Sequence, residues 1–245
     1  MKIIGISGKK QSGKNTMANI LHGIVLKERD LIKDYSINAK GGLVINTATA
    51  DGEEGWGEFD ITRKDSGFIE YAEHNMWPYV KLYSFADTLK WICHELFDIP
   101  TESLWGSEKS KNKKMSYHWE KMPGHVTDHH GYGPMTAREF MQWFGTDIMR
   151  KAHPNIWLNN TIKRIEQEQP KTAIIADVRF KNEADAIKKA GGVVVRLTRR
   201  VHKDGHSSEN ALDKYKFSKI IDNAEGTLDD LISDAKALYK NVQEE

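Results

Sequence analysis

The sequence predicts an α/β fold, with a parallel sheet of about five strands and helices on both of its faces. Two observations predict it: short apolar runs alternate with segments of helical periodicity, and this alternation recurs along the 245 residues. Parallel strands need a crossover between them, and a helix is the usual crossover. The predicted strands are Lys2–Ser7, Tyr79–Tyr83, Thr172–Ala176, Val193–Leu197 and Lys219–Ile221.

Helical spacing of apolar residues justifies the helices between these strands. In the first helix, Met17, Ile20 and Ile24 recur at intervals of three and four residues, which places them on one face. The fourth helix is followed by two glycines, which are a common stop. The predicted helices are Thr16–Lys27, Ser84–Phe97, Ala137–Met149, Asn182–Ala190 and a terminal helix from Leu228 to Val242.

Two polar stretches interrupt the alternation. Residues 35–78 are rich in Gly, Asp and Glu, and we expect them to carry a hairpin, whereas residues 107–134 are polar and contain four histidines. Long irregular stretches within a compact domain are often lids or binding loops. We therefore predict a single domain over residues 1–245, with insertions at about 35–78 and 107–134 and a lid-like loop at about 199–209.

Charge and cysteine content exclude several classes of protein. The 36 Lys and Arg residues nearly balance the 35 Asp and Glu residues, so the net charge of +1 does not favour a nucleic-acid coat or a polybasic membrane anchor. Cys93 is the one cysteine, so an internal disulfide is impossible. No apolar run approaches the length of about 18 residues that spans a membrane. We expect a globular protein of the cytoplasm that acts on small molecules and has neither nucleic acid nor membrane as a partner.

The turn between the first strand and the first helix carries a phosphate-binding motif. Residues 8–14, GKKQSGK, match the first seven positions of the P-loop pattern G-x-x-x-x-G-K-[ST]. Glycines let the backbone curl so that N–H groups face phosphate oxygens, and the helix N-terminus adds partial positive charge. Lys14 supplies a full charge for the β- and γ-phosphates of ATP. The alternative is a glycine-rich turn that binds nothing.

The eighth position departs from the P-loop pattern. Asn15 stands where a Ser or Thr normally binds magnesium, and Thr16 comes one position later. One helical step turns a side chain by about 100°, so Thr16 cannot simply replace the missing hydroxyl. Asn15 could offer its amide oxygen to the metal or hold a metal-bound water. The residues predicted to bind ATP or its metal in this segment are Gly8, Lys9, Ser12, Gly13, Lys14, Asn15 and Thr16.

Asp177 and Arg179 follow a predicted buried strand. In P-loop enzymes an Asp at the carboxyl end of a strand holds magnesium or its water, and the site of an open α/β sheet lies at those ends. Arg179 could reach a phosphate. The alternatives are a turn or capping role for Asp177 and a surface ion pair between Arg179 and Glu183.

Arg199 and Arg200 lie between a predicted strand and the lid-like loop. Phosphoryl transfer needs positive charge over the transferring group and exclusion of water, and arginines on a closing loop provide both. We therefore expect Arg199 to act in catalysis and Arg200 to contact ATP. A solvated basic turn is the alternative.

A polar stripe on the helix Ala137–Met149 is the candidate acceptor site, because every fourth residue along it is polar. Arginines suit a monophosphate, an amide suits a base edge, and aromatic rings offer stacking surface. A solvated helix face is the alternative. The stripe consists of Arg138, Gln142, Thr146 and Arg150, and the aromatic residues near it are Trp143, Phe144 and Trp157.

Histidines in the second insertion raise the hypothesis of a zinc site. Their spacing matches no standard ligand pattern, and Cys93 is distant in the sequence, so we do not favour it. The histidines concerned are His118, His125, His129 and His130.

Five blocks of the sequence can be compared with known families. They are SGKKQSGKNT (Ser7–Thr16), SFADTLKWICHELF (Ser84–Phe97), TAREFMQWFGTDIMRKAHPNIWLN (Thr136–Asn159), IIADVRFKNEADAIKKAGGVVVRLTR (Ile174–Arg199) and HSSENALDKYKFSKIIDN (His206–Asn223). In this order they resemble the deoxynucleoside monophosphate kinases of bacteriophages, over roughly half of the chain. The first block is shared with many unrelated NTPases, whereas the third and fourth are specific.

The resemblance implies a nucleoside-monophosphate-kinase-like P-loop fold and a role in deoxynucleotide biosynthesis. It implies transfer of the ATP γ-phosphoryl group to the 5′-phosphate of a deoxynucleotide, with Mg²⁺ as the metal and with a homodimer as the assembly. A phage-encoded protein of this kind would act in the host cytoplasm. The family usually has Asp at the position of Asn15, so direct ligation of the metal there does not carry over.

Positions in the matching blocks imply roles for individual residues. Those implied near the acceptor nucleotide are Phe85, Lys90, Arg138, Gln142, Thr146, Arg150 and Trp157, to which the aromatic argument adds Trp143. Those predicted to act in catalysis are Lys14, Arg138, Asp177, Arg179 and Arg199, and those predicted at the metal are Asn15, Thr16 and Asp177. The two insertions match the family poorly, so base preference does not carry over.

Other functions stay open at this point. Phosphomevalonate kinases of the animal type have a similar loop, and the choice of acceptor separates them from nucleotide kinases. An ATP-binding regulatory module that transfers no phosphoryl group is favoured by the departure at Asn15. Nucleic-acid binding through the lysines of residues 109–114 is disfavoured by the net charge of +1.

Overall fold

A five-stranded parallel sheet organises the larger of two structural units. The computed structural model describes residues 1–48, 52–124, 131–199 and 211–244. Unit 1 comprises Met1–Ser84 and Thr161–Glu245, and unit 2 comprises Phe85–Asn160.

The helices and strands follow the predicted alternation. The strands are β1 (Lys2–Gly8), β2 (Asp34–Ile37), β3 (Leu43–Ala48), β4 (Glu54–Phe59), β5 (Val80–Tyr83), β6 (Lys114–His118), β7 (Pro134–Thr136), β8 (Thr172–Val178), β9 (Val193–Leu197) and β10 (Lys219–Ile221). The helices are α1 (Lys14–Glu28), α2 (Ser66–Asn75), α3 (Asp87–Phe97), α4 (Thr101–Trp105), α5 (Glu108–Lys111), α6 (Ala137–Gln142), α7 (Ile156–Glu168), α8 (Lys181–Lys189) and α9 (Leu228–Glu244). A 3₁₀ turn covers Trp119–Lys121, and a π-helical segment covers Trp143–Arg150.

The large sheet has the strand order β10-β9-β1-β8-β5, and all neighbouring strands run parallel. β1 is in the middle, where Ile4 pairs with Ile174 on one side and with Val193 on the other. A strand buried on both faces explains its nearly continuous apolar sequence. Because the strands share one direction, their carboxyl ends meet at one edge of the sheet, where sites of α/β folds lie. The predicted fold class is confirmed.

Helices cover both faces of this sheet. Alternation along β1 turns Ile4 and Ile6 to one face, where they belong to the same buried core as residues of α1 and α9. Gly5 turns to the other face, where the side chain of Ile187 from α8 lies against it. Apolar side chains of the helices are therefore buried against both faces of the central strand β1.

The first insertion forms a smaller sheet within unit 1. β2, β3 and β4 pair antiparallel in that order, and α2 follows them. Leu43 and Phe68 are buried and belong to the core that contains α1. The expected hairpin is present, and a third strand and a helix extend it. The insertion is therefore packed on the helix that follows the P-loop.

Aromatic side chains form the interior of unit 2. The ring centroid of Phe140 lies 5.0 Å from that of Phe97 and 4.9 Å from that of Tyr117. Phe144 lies 5.1 Å from Phe97. These rings come from α3, β6, α6 and the π-helical segment, so they join the elements of this unit.

The predicted helix Ala137–Met149 is present, but its second half is π-helical rather than α-helical. α6 ends at Gln142, and the chain continues as a π-helix over Trp143–Arg150. Gly145 is a poor helix former, and its carbonyl accepts a hydrogen bond from the indole N–H of Trp157 at 3.0 Å.

Two expectations from the sequence concern membrane-spanning helices and the cysteine Cys93. Among the described residues, no helix is both long enough and apolar enough to cross a membrane. Cys93 is fully buried in α3, and burial raises the pKa of its thiol to about 12. A neutral buried thiol behaves as a small apolar side chain, so Cys93 is part of the interior.

His22 is a buried titratable group inside α1. Only 1% of it is exposed, and its Nδ1 lies 3.0 Å from the carbonyl oxygen of Ala18. A carbonyl can only accept, so Nδ1 donates this hydrogen bond. Burial lowers the pKa of His22 from 6.5 to about 4, because the charged ring would lose its hydration.

We predict that His22 makes the protein less stable as the pH falls from about 6.5 to about 4. In this range the unfolded chain binds a proton at His22 and the folded chain does not, so protonation favours unfolding. The complete shift corresponds to about 3 kcal/mol. Urea denaturation at pH 7.5, 6 and 5 should show a steeper loss of stability in the wild type than in His22→Leu, which has no ring to titrate. Equal pH profiles would contradict the prediction.

Candidate active site

The segment between β1 and α1 curls back on itself. Gln11 and Gly13 have left-handed backbone conformations, with φ of 60° and 96°. Between them, the backbone N–H of Ser12 donates to the carbonyl of Lys9 at 3.1 Å. Such alternation turns successive N–H groups toward one concave side, beside the N-terminus of α1. The sequence pattern and the backbone agree on a phosphate-binding loop.

Lys14 reaches back across this loop. Its Nζ donates to the carbonyl oxygens of Gly8 and Lys9, both at 2.7 Å. The side chain is partly buried, so its ammonium group is held near the loop rather than in solvent. Phosphate oxygens carry more negative charge than carbonyl oxygens and can compete for these donors.

Two features of the loop fit a bound phosphate group. A side chain at Gly8 would overlap the hydroxyl of Ser12, so the loop has no room for one. The Ser12 hydroxyl is itself buried, and within the described part of the chain it has no hydrogen-bond partner. A buried polar group of this kind calls for an explanation, and a phosphate oxygen is a suitable partner.

Asp177 lies at the end of β8, beside the end of β5. The hydroxyl of Ser84, which directly follows β5, donates to Asp177 Oδ2 at 2.6 Å. Carboxylate and hydroxyl oxygens are the hard donors that Mg²⁺ prefers. The sequence analysis missed Ser84, although its position directly after a strand of the predicted sheet is the same feature that drew attention to Asp177.

The two residues after Lys14 differ in their surroundings. Asn15 is exposed, whereas Thr16 is partly covered by the turn between β2 and β3. In that turn Gly41 lies directly against the hydroxyl of Thr16, and its carbonyl accepts from Nδ2 of Asn19 at 2.8 Å. The first insertion therefore touches the helix at the predicted metal position.

Glu183 lies in the first turn of α8 and is buried. It is 1% exposed, and its carboxylate accepts from the backbone N–H groups of Arg179 and Phe180 at 2.8 and 3.0 Å. These contacts stabilise the N-terminus of α8. Arg179 itself is exposed at the same edge of the sheet as Asp177.

Arg199 is bound to the turn that follows β10. Its Nε donates to the carbonyl of Asn223 at 3.0 Å and its Nη2 to that of Gly226 at 3.0 Å. The role of Arg199 over the transferring group stays a prediction. Arg200 and residues 201–209 of the lid-like loop lie outside the described residues, as do His125, His129 and His130.

Lys9 belongs to a charged network beside the loop. Its Nζ lies 3.3 Å from Asp213, and the same carboxylate pairs with Arg196 at 3.0 Å. Arg196 also donates to the hydroxyl of Ser7 at the end of β1, at 3.0 Å. Sequence reasoning missed Arg196 because it lies inside a strand, and Asp213 because its partners are distant in sequence.

The predicted acceptor residues lie in unit 2. Arg138 pairs with Glu108 at 2.6 Å, and the ammonium of Lys90 lies 5.6 Å from the ring of Trp105. Gln142 and Thr146 are exposed and Arg150 is partly buried. Three predicted residues are in the interior: Phe85, Trp143 and Trp157, which are 3%, 7% and 4% exposed. Rings so covered offer little surface for a base, and all these roles stay predictions.

The histidine hypothesis finds no support in the described residues. His118 Nδ1 lies 3.0 Å from the carboxylate of Glu120, and these two side chains do not by themselves make up a set of zinc ligands. In residues 1–48, 52–124, 131–199 and 211–244, no group of three or more His, Cys, Asp or Glu side chains could hold a metal ion.

Comparison with known proteins decides between the kinases considered above. A sequence model of the deoxynucleotide monophosphate kinase family matches residues 2–235. The chain belongs to this family. A protein of Acanthamoeba polyphaga mimivirus that carries the provisional name deoxynucleotide monophosphate kinase is 31% identical over 152 residues, which are 56% of this chain and 72% of that protein. The resemblance found in the sequence is confirmed: the protein is a deoxynucleotide monophosphate kinase, with nucleotides as substrates and ATP as the cofactor that a kinase of this family uses.

The turn at Gly41 gives a test of how the insertion supports the kinase's P-loop helix. Gly41→Ala should lower the free energy of unfolding more than Gly191→Ala, by about 1–3 kcal/mol, because only at Gly41 would the new methyl group overlap a neighbour, Thr16. The φ angles of the two glycines are 81° and 77°, so the backbone penalty is matched. Urea denaturation measures the free energy of unfolding of both variants. Equal losses of this free energy would show that a methyl group at position 41 does not clash with Thr16 of α1.

Proposed function

We propose that this kinase transfers the γ-phosphoryl group of ATP to the 5′-phosphate of a deoxynucleoside monophosphate, giving a diphosphate and ADP, in deoxynucleotide biosynthesis. The observation that carries the proposal is Lys14, whose ammonium group lies across a P-loop at the N-terminus of α1. Family membership supplies the class of acceptor.

The proposed transfer is direct and in line. An ionised oxygen of the acceptor phosphate forms a bond to the γ-phosphorus while the bond from that phosphorus to the bridging oxygen of ADP breaks. No general base is needed, because the acceptor oxygen is already ionised at pH 7. The protein's task is to position two anionic substrates and to neutralise their charge.

Each predicted residue has a place in this proposal. Lys14 holds the β- and γ-phosphates with the backbone of residues 8–13, and Arg138 and Arg150 hold the acceptor phosphate. Arg179 and Arg199 neutralise charge on the transferring group. Arg200 contacts ATP. The remaining proposed acceptor contacts are Phe85, Lys90, Gln142, Trp143, Thr146 and Trp157.

A magnesium ion fits the oxygen donors near the P-loop. Asp177, oriented by the hydroxyl of Ser84, offers a carboxylate, and Asn15 and Thr16 offer neutral oxygens. When bound, Mg²⁺ would neutralise part of the triphosphate charge. The proposal further includes a homodimer and action in the cytoplasm, of the host if the protein is phage-encoded. Both are predictions for solution and cell experiments.

A coupled assay of ADP release tests the function. With Mg-ATP, the panel of acceptors is dTMP, dGMP, dCMP and dAMP, their ribonucleotide counterparts, and phosphomevalonate. We expect turnover with at least one deoxynucleotide. Lys14→Met keeps an unbranched side chain of nearly the same length and removes its charge, so kcat should fall about 100-fold or more while the far-UV circular dichroism is unchanged.

Other outcomes of this assay are equally informative. Turnover with phosphomevalonate alone would overturn the proposed acceptor. ATP binding without transfer to any acceptor would favour the regulatory module. Lys64→Ala, which removes an exposed lysine of the first insertion, serves as the control and should leave kcat within about twofold. Normal turnover in folded Lys14→Met would contradict the role of Lys14.

The magnesium proposal predicts a specific effect of Asp177→Asn. Removal of one negative oxygen should raise the Mg²⁺ concentration for half-maximal activity about tenfold, and Ser84→Ala should have a smaller effect in the same direction. Chelation with EDTA should abolish turnover, and added Mg²⁺ should restore it. Asp229→Asn, at an exposed carboxylate of α9, is the matched control. An unchanged Mg²⁺ requirement in Asp177→Asn would remove Asp177 from the proposed site.

A further inference from the structure

Asn223 connects the P-loop to two strand ends that are distant in sequence. It directly follows Asp222 after β10, is 3% exposed, and donates from Nδ2 to the carbonyl of Ser12 at 2.8 Å. Its Oδ1 accepts from the backbone N–H of Arg199 at 2.9 Å. Its own backbone N–H donates to the hydroxyl of Thr198 at 3.2 Å. One buried amide therefore joins the segments after β1, β9 and β10.

These partners allow only one orientation of the Asn223 amide. The backbone N–H of Arg199 can only donate, so it requires the amide oxygen, and the carbonyl of Ser12 can only accept, so it requires the amide nitrogen. An amide turned by 180° would place two donors together and two acceptors together. These hydrogen bonds therefore hold an N–H donor of Asn223 against the carbonyl of Ser12. Neither a carboxylate nor an apolar side chain could supply this donor.

The bond to Ser12 also determines the direction of the next N–H group. A peptide unit is planar and trans, so the carbonyl of Ser12 and the N–H of Gly13 point to opposite sides. With the carbonyl held toward Asn223, the N–H of Gly13 faces the other way. Gly13, with φ of 96° and no side chain, tolerates either orientation of this peptide, so the loop alone does not determine it.

We propose that Asn223 is a positioning residue that holds the Ser12–Gly13 peptide so that the N–H of Gly13 faces the phosphates of the bound nucleotide. Without this bond the peptide can turn over and present a carbonyl oxygen to an anion, which repels it. The proposal rests on the proposed function, because it takes the loop as the site of ATP. Asn223 acts on nucleotide affinity through the backbone and does not touch the reacting atoms.

Asn223→Asp is the most direct test, because it replaces the donor with an acceptor and keeps the shape of the side chain. Titration calorimetry with Mg-ADP should show affinity reduced about tenfold or more, which is the order expected when a buried hydrogen bond is lost. KM for ATP should rise by a similar factor, whereas KM for the deoxynucleotide and kcat should change less than about threefold, since a phosphate contact present throughout the reaction affects binding uniformly.

The neighbouring Asp222→Asn is the matched control. It changes charge in the same turn, where the Asp222 carboxylate accepts from Thr198 and Ala224, but leaves the bond to Ser12 in place. Its affinity for Mg-ADP should stay within about twofold of the wild type. A purely structural role of Asn223 would lower the melting temperature and leave the affinity of the folded protein unchanged, and this result would overturn the proposal.

A second variant and a second measurement cover the case of misfolding. Asn223→Ala removes the donor without burying a charge and should show the same loss of affinity. If neither variant folds, the amide resonance of Gly13 in the ¹⁵N-labelled wild type decides: a large downfield proton shift on adding Mg-ADP is expected, and no shift would contradict the proposal. Failure of the wild type to bind Mg-ADP would instead overturn the proposed function itself.

Discussion

The burial of β1 between β8 and β9 is the constraint on which the candidate site depends. Because the three strands are parallel, the chain leaves all of them at the same edge of the sheet. Gly8 begins the P-loop there, Asp177 lies at the end of β8, and Arg199 follows β9. The apolar core on both faces of β1 thus holds polar residues that are far apart in sequence within one small region.

The cationic side chains at this edge of the sheet donate hydrogen bonds to oxygen atoms of the protein. Lys14 donates to two loop carbonyls, Arg199 to two carbonyls after β10, and Arg196 to Ser7 and Asp213. Donors left without partners in a partly buried place would destabilise the fold, so these bonds keep the loop ordered before a nucleotide arrives. An incoming phosphate can replace carbonyl oxygens with more strongly charged acceptors, which makes the exchange favourable for Lys14.

The parts of the structure that depend on local sequence could be predicted, and those that depend on distant contacts could not. β9 and β10 have their predicted bounds, because each is a short apolar run between polar segments. The P-loop follows from seven consecutive residues. The π-helix does not follow from helical periodicity, since it involves the contact between Gly145 and Trp157. Asn223 was missed because its partner Ser12 is 211 positions away.

The first insertion contacts α1 at Thr16, the residue directly after the departure from the P-loop pattern at Asn15. The turn at Gly41 covers the hydroxyl of Thr16, and the bond from Asn19 holds this turn on α1. In the proposed metal site, Asn15 and Thr16 bring neutral oxygens, whereas the kinases that the sequence resembles usually have a negatively charged Asp at the position of Asn15. The charged oxygen of the proposed metal site comes from Asp177, which accepts a hydrogen bond from Ser84. The proposed metal site thus differs from the usual pattern, in which a Ser or Thr directly after the lysine binds the metal.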